Sequence, residues 1–166
     1  NFLKQYQGKL FFASNNFQTE RFGPGWAWDD YNEDYSAERS ALPVYGNLIS
    51  IRKYVEEVFV FQPAIFEVDF LKSDETHLRE EIIRGIDSNE FTYFKGKKNS
   101  RKWIIPFRTS DSLTALLLSD TLHRAVKRIS WPKFDSAKIL KSVPVDSVYS
   151  EMMKVSDNFI AEQLLL

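Results

Sequence analysis

The chain has 166 residues, 43% of them hydrophobic and 15% aromatic, with a formal net charge of -1. That length supports one domain with a real core, or one domain plus part of another, and that composition excludes a disordered tail. The near-neutral charge excludes a global pull toward nucleic acid or acidic membranes, so no nucleic-acid partner is expected. There is no cysteine, which removes disulfides, thiolate metal sites and thiol catalysis. No apolar run approaches the length of a membrane span, and the residues from Asn1 to Tyr6 do not read as a signal peptide. Asn1 is not a start methionine, and the stretch from Glu162 to Leu166 stops inside an apolar pattern with no helix-ending residue. Both ends read as those of a piece cut from something longer, or of its processed product.

In chain order, Lys9 to Ala13 reads as a short buried strand. Gly23-Pro24-Gly25 marks a turn. Residues 26–47, dense in Trp, Tyr, Asp and Glu, read as an ordered loop. Asn47 to Phe61 reads as β, and Phe66 to Phe70 alternates like a half-buried strand. Residues 78–86 and 90–95 read as two strands joined at Asp87-Ser88-Asn89. Lys95 to Lys102 reads as a polar hairpin turn, after which Trp103, Ile105 and Phe107 resume the alternation. Ser110 can cap a helix running to about Arg128, with Ala115, Leu118, Leu122, Ala125, Val126 and Ile129 on one face. A β-like connection through Ile139 leads to a second helix from Pro144, with Val145, Val148, Tyr149 and Met152 on one face. Ser156-Asp157-Asn158 interrupts it, and Phe159 to Leu166 begins another. Strands followed by helices predict an α+β fold that is mostly antiparallel. The expected segments are 1–108, β-rich; 109–143, a helix and connection completing it; and 144–166, the helices carrying Ser-Asp-Asn.

Ser-Asp-Asn is one of three short motifs that build the site of penicillin-recognising serine enzymes. Its plainer reading is a helix cap, since Ser, Asp and Asn are the usual N-cap residues and a helix follows. The first motif, Ser-x-x-Lys, occurs at Ser50–Lys53 and Ser130–Lys133. Neither fits a nucleophile. Ser50 lies in a β pattern, where i and i+3 face opposite ways, and Ser130 is followed by Pro132 with no helical pattern beyond. The third motif, Lys-Thr-Gly or Lys-Ser-Gly, is absent. Asp30-x-Asn32-x-Asp34 starts like a calcium loop but has Tyr35 and Ala41 where Gly and Glu are required. A polar loop whose carboxylates pair with Arg39 or other cations is the expected arrangement. His77 and His123 have no ligand partners at metal spacing and read as surface residues, so no metal or cofactor is expected.

Two stretches together resemble one family. Gly23-Pro-Gly-Trp-Ala-Trp-Asp-Asp-Tyr31, with Tyr35-Ser-Ala37, Ser40-Ala-Leu42 and Asn47, resembles a signature of class C penicillin-binding proteins. These are periplasmic D-alanyl-D-alanine carboxypeptidases/endopeptidases. Ser142-Val-Pro-Val145 and Met152-Met153, leading into Ser156–Leu164, are similar to the segment carrying that family's Ser-x-Asn motif. The resemblance implies a transpeptidase-like (β-lactamase-like) catalytic domain split by inserted domains. The chain would hold most of a β-rich insert and the helices that return to the catalytic domain. The Ser-x-x-Lys helix would lie before Asn1 and the Lys-Thr-Gly strand after Leu166.

It further implies catalytic-site roles for Ser156 and Asn158, as proton relay and substrate-backbone ligand. Asp30 would recognise the amino end of the diaminopimelate side chain in peptidoglycan stem peptides, with Asp29 sharing the role or anchoring the loop. Trp26 and Trp28 would pack the loop. β-Lactams would acylate the whole protein, and this piece alone would be inactive. The helices after residue 144 would be left exposed or self-associating. The alternative is a non-catalytic module, binding peptidoglycan or a protein, that kept the fold.

Overall fold

A computed structural model describes residues 2–98, 101–130, 139 and 143–165. The chain is α+β and divides into two compact units. One comprises residues 1–23, 39–44 and 109–166; the other comprises 24–38 and 45–108. The expected segments 1–108, 109–143 and 144–166 do not map one-to-one onto these units, because residues 1–23 and 39–44 group with the C-terminal part.

In the first unit a short helix α1, Phe2–Gln5, precedes strand β1, Leu10–Phe12. The strand is not buried throughout: Phe12 faces the core while Phe11 is half exposed. Within the second unit, β2 spans Leu48–Lys53, β3 Phe59–Gln62, β4 Phe70–Arg79, β5 Glu81–Arg84, β6 Phe91–Lys98 and β7 Lys102–Pro106. The chain then returns to the first unit through helix α2, Asp111–Leu122, strand β8, Val126–Arg128, and helices α3, Val145–Val155, and α4, Asn158–Leu164. Among the described residues no helix is long and apolar enough to cross a membrane.

The second unit holds two three-stranded sheets, ordered β3-β2-β7 and β4-β6-β5. Pairings β2–β3, β2–β7 and β5–β6 are antiparallel, while β4–β6 is parallel. Alternation in β2 buries Ile49 and Ile51, and β6 buries Phe91 and Tyr93. An aromatic cluster fills the space between the sheets, with Phe59 at 4.8 Å from Phe70 and 4.9 Å from Tyr93, and Phe66 at 5.0 Å from Phe107. Consecutive strands β4 and β5 flank β6 on opposite sides, so the chain must cross β6. It does so at Gly96, where a Cβ would collide with the backbone of Arg79 and Glu80. Glu80, at that crossing, is buried. It pairs closely with Lys53 and accepts a 2.8 Å hydrogen bond from the Tyr93 hydroxyl. Burial and the Glu80 carboxylate push the Tyr93 phenol far above its ordinary range.

Three sequence expectations are corrected here. Residues 64–69 form a 3-10 helix rather than a strand: Phe66 is buried but Val68 is 84% exposed, so the alternating residues do not share one face. The Lys95–Lys102 stretch is not the tip of a β6–β7 hairpin. Strand β6 continues to Lys98, and the two strands belong to different sheets; residues 99–100 lie outside the described residues.

The third correction concerns α2, which ends at Leu122 rather than Arg128. His123 takes a left-handed conformation at φ 53, and the Ser119 hydroxyl accepts a 2.9 Å bond from the Val126 N–H. That bond turns the chain into β8, which pairs in parallel with β1. The start of α2 agrees with the sequence, since Ser110 Oγ accepts from the Leu113 N–H at 3.2 Å. The expected β-like connection through Ile139 lies mostly on residues 131–138, outside the described residues.

Candidate functional site

The loop 24–38 is organised by the open edge of β5. Asn32 donates from its side-chain amide to the Ile82 carbonyl at 3.1 Å and accepts from the Arg84 N–H at 2.9 Å. One side chain thus satisfies an edge-strand carbonyl and amide together, as a neighbouring strand would. Arg84, buried to 1% exposure, donates to the Tyr31 carbonyl at 3.3 Å and lies over the Tyr31 ring at 5.2 Å. Its other amino group holds the Gly85 and Ser88 carbonyls at 2.8 and 3.0 Å. At the far end of the loop, buried Asn47 donates to the Glu38 carbonyl at 2.8 Å.

These anchors fix a 3-10 turn, Asp30–Asn32, with Asp29 at its N-cap. Asp30 is half-buried and Asp29 exposed. The Tyr35 phenol is held above its ordinary range by burial, then by the charge and hydrogen bonding of Asp30, with Glu33 and Asp29 adding to it. Asp29, Asp30, Glu33 and Asp34 concentrate negative charge at the turn, which suits a cation. Trp26 stacks on Tyr35 at 5.9 Å and packs the loop as expected, but Trp28 does not: it is 80% exposed. The calcium-like spacing is spent otherwise, because Asn32 is committed to β5. Among the described residues no group of three or more His, Cys, Asp or Glu side chains could hold a metal ion.

Arg39 does not pair with the loop carboxylates. Its guanidinium holds Glu162 of α4, with Nε to Oε2 at 2.6 Å. Gln163 adds a two-way amide pair with the Ser40 backbone at 3.0 and 3.1 Å. Helix α4 is thereby pinned to segment 39–44. His77 is not a free surface side chain either: it is half-buried, pairs with Glu81 and stacks on Phe94 at 4.2 Å. His123 is exposed.

Ser156 and Asn158 sit at the break between α3 and α4. Ser156 closes α3 in the left-handed region, at φ 53 and ψ 49, and is exposed. For a serine this conformation costs about 1–2 kcal/mol relative to ordinary backbone. The Asp157 N–H returns to the Met152 carbonyl at 3.0 Å, and Asp157 Oδ1 caps α4 by accepting from the Ile160 N–H at 2.8 Å. Asn158 opens α4 with its side chain exposed. Ser156 closes α3 through its backbone and Asp157 caps α4 through its side chain, leaving Ser156 and Asn158 exposed. Asp29 and Asp30 belong to one unit, Ser156 and Asn158 to the other.

Ser50 lies on β2 while Lys53 turns inward to Glu80, as strand geometry requires. Lys133, of the other Ser-x-x-Lys match, lies outside the described residues. Sequence reasoning missed Asn32, Arg84 and Tyr35 as the framework of Asp30. The one signal for Asn32 was its place in the truncated calcium-like spacing.

A family model described as the D-Ala-D-Ala carboxypeptidase 3 (S13) family matches residues 3–166. The chain belongs to this family. No curated protein matches it. Among solved structures it is similar to penicillin binding protein 4 (dacB) from Haemophilus influenzae, with a TM-score of 0.64 at 18% identity. The match covers 94% of this chain and 39% of that one, so the S13 chain described here spans well under half the length of that relative. At this identity the likeness is one of fold.

Proposed function

We propose that this S13 chain is part of a periplasmic serine D-alanyl-D-alanine carboxypeptidase/endopeptidase, acylated by penicillin when whole. The observation that carries the reading is the Ser156–Asn158 break. An exposed left-handed serine and an exposed asparagine flank a working helix cap, inside a chain matched over residues 3–166 by the S13 model. A left-handed residue is a common way to close a helix, as His123 also does at α2; what supports the reading is the Ser-x-Asn pattern at this break within a chain that the S13 model matches. Helices α3 and α4 are assigned to the catalytic domain and the two-sheet unit to an insert. The nucleophilic serine and its lysine, and the Lys-Thr-Gly strand, are assigned to chain outside these 166 residues.

In the complete site the nucleophile attacks the carbonyl of the D-Ala–D-Ala bond, and the terminal D-Ala leaves as its amine takes up a proton. Ser156 relays that proton, and Asn158 hydrogen-bonds the substrate backbone. Water then hydrolyses the acyl ester. Asp30, flanked by Asp29, binds the ammonium of the diaminopimelate side chain through a charge-assisted hydrogen bond. The supporting observation is the set of four carboxylates, Asp29, Asp30, Glu33 and Asp34, carried by the anchored loop around the 3-10 turn.

The test is covalent labelling by fluorescent penicillin of the longer protein carrying this chain. Labelling is expected, with S156A slowed at least about tenfold; each 1.4 kcal/mol of lost stabilisation is a tenfold effect. Absence of labelling, or an unaffected S156A, overturns the reading.

A further inference from the structure

The outer face of sheet β3-β2-β7 carries a recessed basic surface separate from the residues assigned above. Directly opposed residues on antiparallel strands project to the same side. The register therefore places Val60, Arg52 and Lys102 in one row, and Gln62, Ser50 and Ile104 in the next. Arg52 and Lys102 are like charges facing each other across strands, an arrangement that costs stability when nothing lies between them. Both are exposed, and neither they nor Arg101 has an ion-pair partner among the described residues.

The surface is concave. A cavity of about 190 Å³ on this face includes Tyr45, Ser50, Gln62 and Lys102, and one of about 400 Å³ lies at the end of β2, lined by Arg52, Lys53, Tyr54, Val55 and Arg101. Tyr54 and Tyr45, at 54% and 40% exposure, supply an aromatic ring at each.

We infer that this face binds an anionic glycopeptide polymer, the peptidoglycan strand itself. The inference rests on the peptidoglycan reading and adds a second contact with the same polymer. The cations suit the stem-peptide carboxylates. The Ser50 hydroxyl and Gln62 amide suit sugar hydroxyl and acetamido groups, and exposed tyrosine rings suit the apolar faces of sugars. A flat layer of lipid phosphates would meet the cations but leave the two concavities unfilled.

The test is co-sedimentation of the 166-residue chain with purified peptidoglycan sacculi at low and physiological salt. Wild type is expected to pellet, less so at high salt. R52E/K102E should lose about tenfold in apparent affinity, the scale of two weak surface ion pairs turned repulsive. K4E/K9E, which changes net charge equally at exposed sites elsewhere, should bind like wild type; thermal unfolding checks that both variants fold. Equal binding by R52E/K102E, equal loss by K4E/K9E, or binding to phosphatidylglycerol vesicles in place of sacculi overturns the inference. Penicillin labelling of the longer protein is read separately, so failure here leaves the acyl-enzyme reading standing, and failure there leaves a sacculus-binding module.

Discussion

Replacing Ser156 by glycine should stabilise this protein while removing a group assigned to its chemistry. Ser156 sits at φ 53 and ψ 49, where a side chain costs about 1–2 kcal/mol and glycine costs nothing. Glycine gives back about 0.4–1 kcal/mol through the greater freedom of the unfolded chain. The balance is a gain of about 0.5–1 kcal/mol. S156A keeps the backbone penalty and should gain nothing. Urea unfolding followed by helix signal, with hydrogen exchange at Asp157 and Ile160 as a local probe, separates the two variants. In the longer enzyme both should lose turnover alike, since both lack the hydroxyl. The reasoning fails if S156G is no more stable than S156A, or if either keeps wild-type turnover.

Asp157→Ala should cost about 1 kcal/mol by removing the cap on the Ile160 N–H, read as faster exchange through α4. Gly96→Ala forces a side chain into the Arg79–Glu80 backbone and should cost about 2–3 kcal/mol or more by denaturant midpoint. Asn32→Ala strips a carbonyl and an amide of β5 of their partner; it should cost about 1–3 kcal/mol and speed proteolysis of the 24–38 loop. Two pH effects follow from the charges. Glu57 is held below its ordinary value by hydrogen bonding to Lys95, then by the Lys95 and Lys72 charges. Its contribution is present above pH 4.5 and is lost as pH falls through its lowered folded value; E57Q should lack that acid-side loss. Tyr93, raised by burial and Glu80, stays protonated in the fold while the unfolded chain ionises near 10. Stability should therefore fall as pH rises past 10, and less so in Y93F.

The sequence made the two-residue alternations of β2 and β7 legible because each strand buries one face. It also made the Ser110 cap legible, since a cap is a local device. What escaped it was non-local. The residues from Phe66 to Phe70 alternate perfectly, yet 64–69 form a 3-10 helix: Phe66 and Phe70, which opens β4, both join the aromatic core, while Val68 between them is exposed. The apolar spacing past Leu122 suits a helix and a strand equally, and a hydroxyl bond from Ser119 decides between them. Asp30 could be singled out by resemblance, but the framework that fixes its turn comes from β5, fifty residues downstream. The same holds for Arg39, whose partner Glu162 lies in the last helix.

The most direct test of the Asp30 and Ser156 assignments uses the longer enzyme with Asp30→Ala and two diaminopimelate peptides, one with its side-chain amine free and one acetylated. Losing a charge-assisted hydrogen bond should lower kcat/KM for the free-amine peptide by roughly 10- to 100-fold, leaving the acetylated peptide and penicillin acylation nearly unchanged. Equal losses on all three would contradict the assignment of Asp30 to substrate recognition, and with it the division of labour drawn between the anionic loop and the Ser-Asp-Asn turn.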